Sequence, residues 1–466
     1  MHTDESQLEA LALAAQAGAD YRRRIADAET TPVESYAQVL ARFDTPLPET
    51  GEESTAILRE LIAKAEGGIR AMTAPRFFGW VIGSSHPTGV AADWLTSAWG
   101  QNCGNVTAAP AACAVEAVVA DWLLDLLDLP RESSVGVVSG ATVANTVCLA
   151  AARGEVLRRA GWDVEADGLF GAPEITVMIG ADAHATVFSG LRYLGLGAKR
   201  VVEIATDPLG RMLPDALATA LNGHSGPLIV IAQAGQINTG VSDPFAEIAP
   251  LVRQAGGWLH IDGAFGLFAA ASPKHRHLVA GVELADSWGT DGHKWLQTPY
   301  DGSFAIVRDE AAHRRAMSIV ASYLPSVAGD ERDPTAYVME LSRRARGFAM
   351  WAMLKQLGRA GVAAMVEQDI AVAQAMAVGM AAIEGVTLIN EPELNQFMVR
   401  FGDSDDFTLA TVEQIQRDAV AFIGASQWRG QWVMRVSVCS IATTLEDGQI
   451  TVEAVRSAWE KVRGRS

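Results

Sequence analysis

Between Arg76 and Tyr323 the chain alternates short runs that are apolar on both faces with stretches of helical periodicity, and few architectures accept that alternation. The runs at 135–139, 175–179, 201–204, 228–232, 258–261, 287–290 and 304–307 are too short for buried helices, and most are too apolar on both faces for a sheet with one wet face. They predict an α/β fold, a mostly parallel seven-stranded sheet covered by helices on both sides, whose ligands bind beyond the carboxyl ends of the strands. At 466 residues the chain exceeds what one hydrophobic core serves, so a second domain is expected. The text divides into a helical arm over 1–67, a large sheet domain over 68–330 and a small α+β domain over 331–466. In the last part a long helix near 342–383 and the runs QFMVRF and QWVMRVSV precede a final helix near 445–462.

Fifty-five acidic against 37 basic residues give a formal charge of −18, which argues against nucleic acid and anionic membranes as partners and for a small molecule. Hydrophobic residues make up 49% of the chain, yet each long apolar stretch is interrupted by charge, as Glu116, Asp121 and Asp125 interrupt VVADWLLDLLDL. No segment reads as a membrane span. Cys103, Cys113, Cys148 and Cys439 lie among apolar neighbours without close pairing, the pattern of reduced core thiols rather than a metal site. The opening residues lack the basic and apolar regions of a secretory signal, so a cytoplasmic protein is expected.

The chemistry concentrates between Trp258 and Val307, in WLHIDGAFG and ADSWGTDGHKWLQTPYDGSFAIV. Asp262 ends one strand-like run, and Lys294 follows another, between His293 and Trp295. Alone, the aspartate reads as a turn or cap and the lysine as surface charge. Together they suit a Schiff-base lysine and a carboxylate that keeps a pyridine nitrogen protonated, the pairing that makes pyridoxal 5'-phosphate (PLP) an electron sink. Upstream, GVVSGATVAN turns at Gly140 from a buried strand into a helix whose first N–H groups, at Ala141 and Thr142, would meet a phosphate. The plain alternative there is an ordinary N-cap.

In these motifs the sequence resembles the group II PLP-dependent amino-acid decarboxylases of fold type I, from about Arg76 to the C-terminus. The resemblance implies that Lys294 carries PLP, Asp262 holds the pyridinium, His184 in GADAHATVFSG stacks on the ring, and Ala264 packs on the ring's other face. Ala141, Thr142, Asp291 and His293 fall on the phosphate side. Trp80, Ser84 and His86 in RFFGWVIGSSHPTG, with Tyr337 and Arg435, are the candidates for substrate contact. A buried histidine at 260 reads either as support for Asp262 or as a satisfied core residue. Arg343, Arg344 and Arg346 in ELSRRARGFAMW read as structural ion-pair formers.

Two departures matter. Gly235-Gln236-Ile237 stands where the family often has Gly-Thr-Thr, and the loop before LSRR offers only Tyr323 and Tyr337 as proton donors. The function implied is a carbon–carbon lyase that decarboxylates an L-amino acid to an amine through an external aldimine and a quinonoid. The alternatives are aldol-type cleavage of a β-hydroxy amino acid, aminotransfer, and a non-catalytic regulatory scaffold. An N-terminal arm with an apolar helical stripe, and PYDGS at 299–303, imply a C2 homodimer with active sites at its interface.

Overall fold

Every run expected as a strand is one, displaced by at most one residue at either end. The computed structural model describes residues 5–27, 30, 34–319 and 332–464. The strands are β1 (Ser134–Val138), β2 (Thr176–Gly180), β3 (Val202–Ile204), β4 (Leu228–Gln233), β5 (Trp258–Asp262), β6 (Ser287–Asp291) and β7 (Ser303–Val307). They form one sheet in the order β1-β7-β6-β5-β4-β2-β3. Only β7 runs against its neighbours, pairing Ala305 with Gly136 on one side and with Gly289 on the other. Strands β1, β4, β5, β6 and β7 are buried at every residue, which explains why their sequences show no polar alternation.

A second sheet, antiparallel, follows: β8 (Val386–Leu388), β9 (Gln396–Phe401), β10 (Gly424–Trp428) and β11 (Gln431–Ser437), in the order β10-β11-β9-β8. Its core gathers Phe397, Phe401, Met434, Val436 and Trp459. The helix Gly347–Ala381 joins the two cores. Met350, Val362, Met365 and Ile370 pack with the large sheet, whereas Val372, Met376 and Met380 pack with the small one. This helix starts five residues later than its periodicity suggests, because 342–346 is committed to tertiary bonds. Arg343 is buried against Glu116 at 2.5 Å, its carbonyl accepts from Cys103 N–H at 3.1 Å, and Arg344 pairs with Asp93 at 2.7 Å. With Arg346 on Asp301 at 2.6 Å, all three arginines are ion-pair formers, as their structural reading requires.

The N-terminal segment holds helices at Glu5–Arg24, Tyr36–Phe43 and Ser54–Glu66, the second started by a capping box between Ser35 and Gln38. Among the described residues no helix is long and apolar enough to cross a membrane.

Candidate active site

A cavity of about 210 Å³ opens at the carboxyl ends of β1, β2, β4, β5 and β6, where a doubly covered parallel sheet leaves room for a ligand. Its wall includes Ala141, Thr142, His184, Asp262, Ala264, Asp291, His293 and Lys294. The eight residues the sequence assigned to cofactor binding therefore converge, although they come from four separate turns.

Asp262 is the last residue of β5 and is buried. The one hydrogen bond of its carboxylate among the described residues comes from Ala264 N–H at 3.3 Å. Burial raises its pKa, opposed by its interactions with His184 and Lys294. A carboxylate so placed is costly unless a cationic or proton-donating group meets it, and a protonated ring nitrogen is such a group. Asp291 ends β6 and holds the Lys294 ammonium, Nζ to Oδ2 at 2.8 Å. The other oxygen of Asp291 lies 3.5 Å from His293 Nε2. His293 accepts Gly302 N–H at Nδ1 (3.2 Å) and stacks on Tyr300, ring centroids 4.3 Å apart. Burial lowers its pKa, so the ring is neutral and its proton sits on Nε2.

Gly140 precedes the helix Ala141–Arg159 in extended conformation, and no side chain caps the first turn. Gly140, Ala141 and Thr142 line the cavity beside His293, whose Cε1 would lie 3.7 Å from a Cβ on Gly140. The helix end and His293 together make a place for a phosphate. His184 caps the helix Ala185–Tyr193: its Nδ1 accepts Thr186 N–H at 3.4 Å and lies 2.7 Å from Thr186 Oγ1. Burial lowers its pKa as well, which leaves a neutral imidazole with the proton on Nε2. Trp295, next to the lysine, donates from Nε1 to Asp369 Oδ2 at 2.7 Å and so anchors this loop to the long helix. The Asp369 carboxyl is pushed up to about 8 by burial.

Several expectations change. His260 does not support Asp262; its ring nitrogens meet Ser287 Oγ at 2.9 Å and Asn145 Oδ1 at 3.1 Å, and burial pushes its pKa down to about 3. Gln236 is spent on its own turn: Oε1 accepts from Asn238 N–H (2.6 Å) and Thr239 N–H (3.0 Å), and Nε2 donates to the Asp182 carbonyl at 3.2 Å. Of the five substrate-side candidates, none lines the cavity of this subunit. Trp80 is half exposed and packs on Phe422, centroids 5.3 Å apart. Ser84 bonds to Gln297, and His86 accepts Thr88 N–H at 3.2 Å as a helix cap. Tyr337 donates to Glu310 Oε1 at 2.5 Å. Arg435 donates to the Ile237 carbonyl at 3.1 Å and has no carboxylate partner among the described residues. Burial pushes its pKa down to about 10, and its charge reaches His184. Tyr323 lies outside the described residues.

Sequence reasoning passed over Thr186, Gln233 and Phe265, which line the wall with Gly235 and Ile237 of the departing turn. Gln233 had a signal, since it ends β4 as Asp262 ends β5 in the adjacent strand. Gly235, at φ 92°, lies where a Cβ would stand 2.7 Å from the Phe265 ring. Only glycine fits that turn.

The fold and site define an enzyme that holds an anionic cofactor with a protonated ring across the strand ends. The chain belongs to the pyridoxal-dependent decarboxylase family, whose conserved-domain model matches residues 37–401. Its cofactor is PLP, and it is a lyase of the decarboxylase class. It is 28% identical over 433 residues to an aromatic-L-amino-acid decarboxylase of Sus scrofa, covering 90% of this chain and 86% of that one. It is 27% identical over 361 residues to a 4-hydroxyphenylacetaldehyde synthase of Rhodiola rosea, covering 74% and 72%. A solved structure of Oryza sativa TDC with PLP and tryptamine superposes with a TM-score of 0.91 at 21% identity over 99% of both chains, a likeness in fold.

Proposed function

We propose that the protein decarboxylates an aromatic L-amino acid to its amine, with Lys294 as the PLP-attaching residue. The observation that carries this reading is the convergence of Lys294, Asp262 and His184 on one cavity beside a helix N-terminus. PLP, when bound, supplies the electron sink for the pair left behind by CO2. Asp262 keeps the ring nitrogen protonated, and burial strengthens that contact. Ala141, Thr142 and His293 hold the phosphate, while Ala264 leaves room for the ring. Asp291 Oδ2, 2.8 Å from Lys294 Nζ, would hold the lysine as its ammonium at the cavity wall whenever Nζ is free of the cofactor. His184, a neutral imidazole with its proton on Nε2, would stack on the ring and lie near the scissile carboxylate, where Nε2–H can hydrogen-bond it.

The aromatic preference rests on the relatives named above. A second reading, aldol-type cleavage of a β-hydroxy amino acid, is supported by the commitment of the Tyr337 hydroxyl to Glu310 rather than to the cavity. Incubation of holoenzyme with L-tryptophan, L-tyrosine, L-phenylalanine and L-threonine, following CO2, amine, aldehyde and keto acid, separates the readings. Equimolar CO2 and amine supports the first, aldehyde with glycine the second; keto acid without CO2 defeats both.

The same reading includes a cytoplasmic homodimer. Tyr36, Leu40, Phe43 and Leu47 of the arm, and Trp94, Trp99 and Trp351 beyond it, are exposed apolar groups that a partner subunit would cover. All four cysteines are buried and free, in keeping with a reducing compartment.

A further inference from the structure

The loop that carries Lys294 is held by a residue with no part in binding or chemistry. Gln297 is fully buried and adopts φ 59°, a left-handed conformation that costs a side chain of its size and turns it back over its own loop. There its amide is fully used. Nε2 donates to the carbonyls of Lys294 (2.9 Å), Trp295 (3.3 Å) and Cys439 (3.2 Å). Oε1 accepts from Ser84 N–H (2.9 Å), Ser84 Oγ (2.6 Å) and Ile441 N–H (3.4 Å). Its backbone adds two more bonds, N–H to the Lys294 carbonyl at 3.2 Å and carbonyl from His86 N–H at 2.8 Å. Three segments remote in sequence thus meet on one side chain: the 84–86 loop, the lysine loop and the start of the last C-terminal stretch. The arm joins the same network, since Arg22 Nη1 donates to the Ser84 carbonyl at 3.1 Å. The fit leaves no slack, for a Cβ on Gly83 would stand 2.3 Å from the Lys294 carbonyl oxygen.

We infer that Gln297 is a positioning residue for Lys294: by tying the lysine's main chain to Ser84 and to the Cys439–Ile441 stretch, it fixes where Nζ lies relative to Asp291 and Asp262. This rests on the reading that Lys294 attaches PLP, which is tested separately by labelling the wild-type lysine. The inference extends to coupling, because whatever displaces the 84–86 loop must also loosen the lysine loop. The lysine loop has turn bonds of its own, from Gly292 and His293 N–H to the Gly302 carbonyl and from Thr298 N–H to the Gly292 carbonyl, but none of these reaches the Cys439–Ile441 stretch.

The test compares wild-type holoenzyme with Gln297→Met, Gln297→Glu and Ser84→Ala. Gln297→Met keeps length and volume but strands buried carbonyls and N–H groups. It is expected to release PLP and to lose kcat each by about tenfold or more, with KM changed less than about threefold. In the apo protein, amide hydrogen exchange at Ser84 and Ile441 should rise while circular dichroism is unchanged. Gln297→Glu turns the donor into a lone pair facing three carbonyls, and only its protonated form can donate to one of them. Burial and those carbonyls raise its pKa, so its PLP release should quicken and its kcat fall as pH rises through that value, whereas Gln297→Met should be flat over the same range. Should Gln297→Met fail to fold, Gln297→Glu and the milder Ser84→Ala, expected to lose about threefold, carry the test. PLP release and kcat within about twofold of wild type in the folded variants, or a Gln297→Glu profile without pH dependence, would overturn the inference.

Discussion

The two ends of the active-site cavity are built differently. On the cofactor side, the functional groups sit on strand ends or within a few residues of them: Asp262 ends β5, Asp291 ends β6, and Thr142 lies in the first turn of the helix after β1. Each is fixed by a sheet ladder that is buried throughout, so its direction follows from the fold. On the substrate side, the candidates Trp80, Ser84, His86 and Tyr337 are occupied with other tasks, as ring packing, loop bonding, helix capping and a hydroxyl bonded to Glu310. Among the described residues, the expected cofactor contacts share one cavity and the expected substrate contacts do not reach it. In the proposed homodimer, a facing subunit would supply the rest of the wall.

That contrast can be broken at either end. The largest effect is expected at Asp262: Asp262→Asn should lower kcat by roughly 100- to 1,000-fold with little change in melting temperature, read by steady-state kinetics of PLP-loaded protein. Retention of most activity would mean that the buried carboxylate does not serve the ring. His184→Gln should follow, with a loss of roughly 100-fold in kcat. Because burial lowers the His184 pKa, wild-type activity that depends on its neutral form should persist below the usual imidazole range and fail only at more acid pH. A rate that declines with an ordinary imidazole titration would separate His184 from the chemistry.

A smaller effect concerns the anchor behind the lysine. The Asp369 carboxyl titrates at about 8 in the folded protein, above its unfolded value. Its stabilising contribution is therefore complete below the unfolded pKa, near 4, and is lost as pH rises through 8. Asp369→Asn keeps an acceptor for Trp295 and removes the buried ionisation. Its melting temperature relative to wild type should rise from pH 4 to pH 8.5, by scanning calorimetry; the reverse trend would show that Asp369 is charged in the native state. The smallest effect belongs to the substrate side. Tyr337→Phe removes one bond to Glu310 and should cost about 1 kcal/mol of stability, with kcat within about twofold of wild type. A loss of CO2 release with new aldehyde or keto acid would instead make Tyr337 a proton donor across the subunit boundary.

The contrast also explains what was legible in the sequence. The strands could be placed because burial on both faces leaves a local signature in most of them, and Asp262 and Lys294 could be found because they lie at or just beyond the ends of such strands. Gln297 could not, since its partners are 213 and 144 residues away and nothing at 297 itself departs from loop composition. Asp369 was hidden in the same way: an acid on a helix reads as solvent-facing until Trp295 is placed against it. The start of the long helix was misread because helical periodicity at 342–346 lost to the ladder and ion pairs made with 93–116. Local pattern identifies elements and the residues on their ends, whereas bonds between remote loops become visible only in the fold.

The central claim, that Lys294 attaches the cofactor at this cavity, is tested most directly by reducing PLP-loaded protein with borohydride and mapping the label by peptide mass spectrometry, with Lys294→Ala alongside. The label is expected on Lys294 in the wild type, with the visible absorbance of the loaded protein abolished by reduction, and neither label nor turnover in Lys294→Ala. A label on another lysine, or a Lys294→Ala protein that keeps both the absorbance and the turnover, would contradict the account.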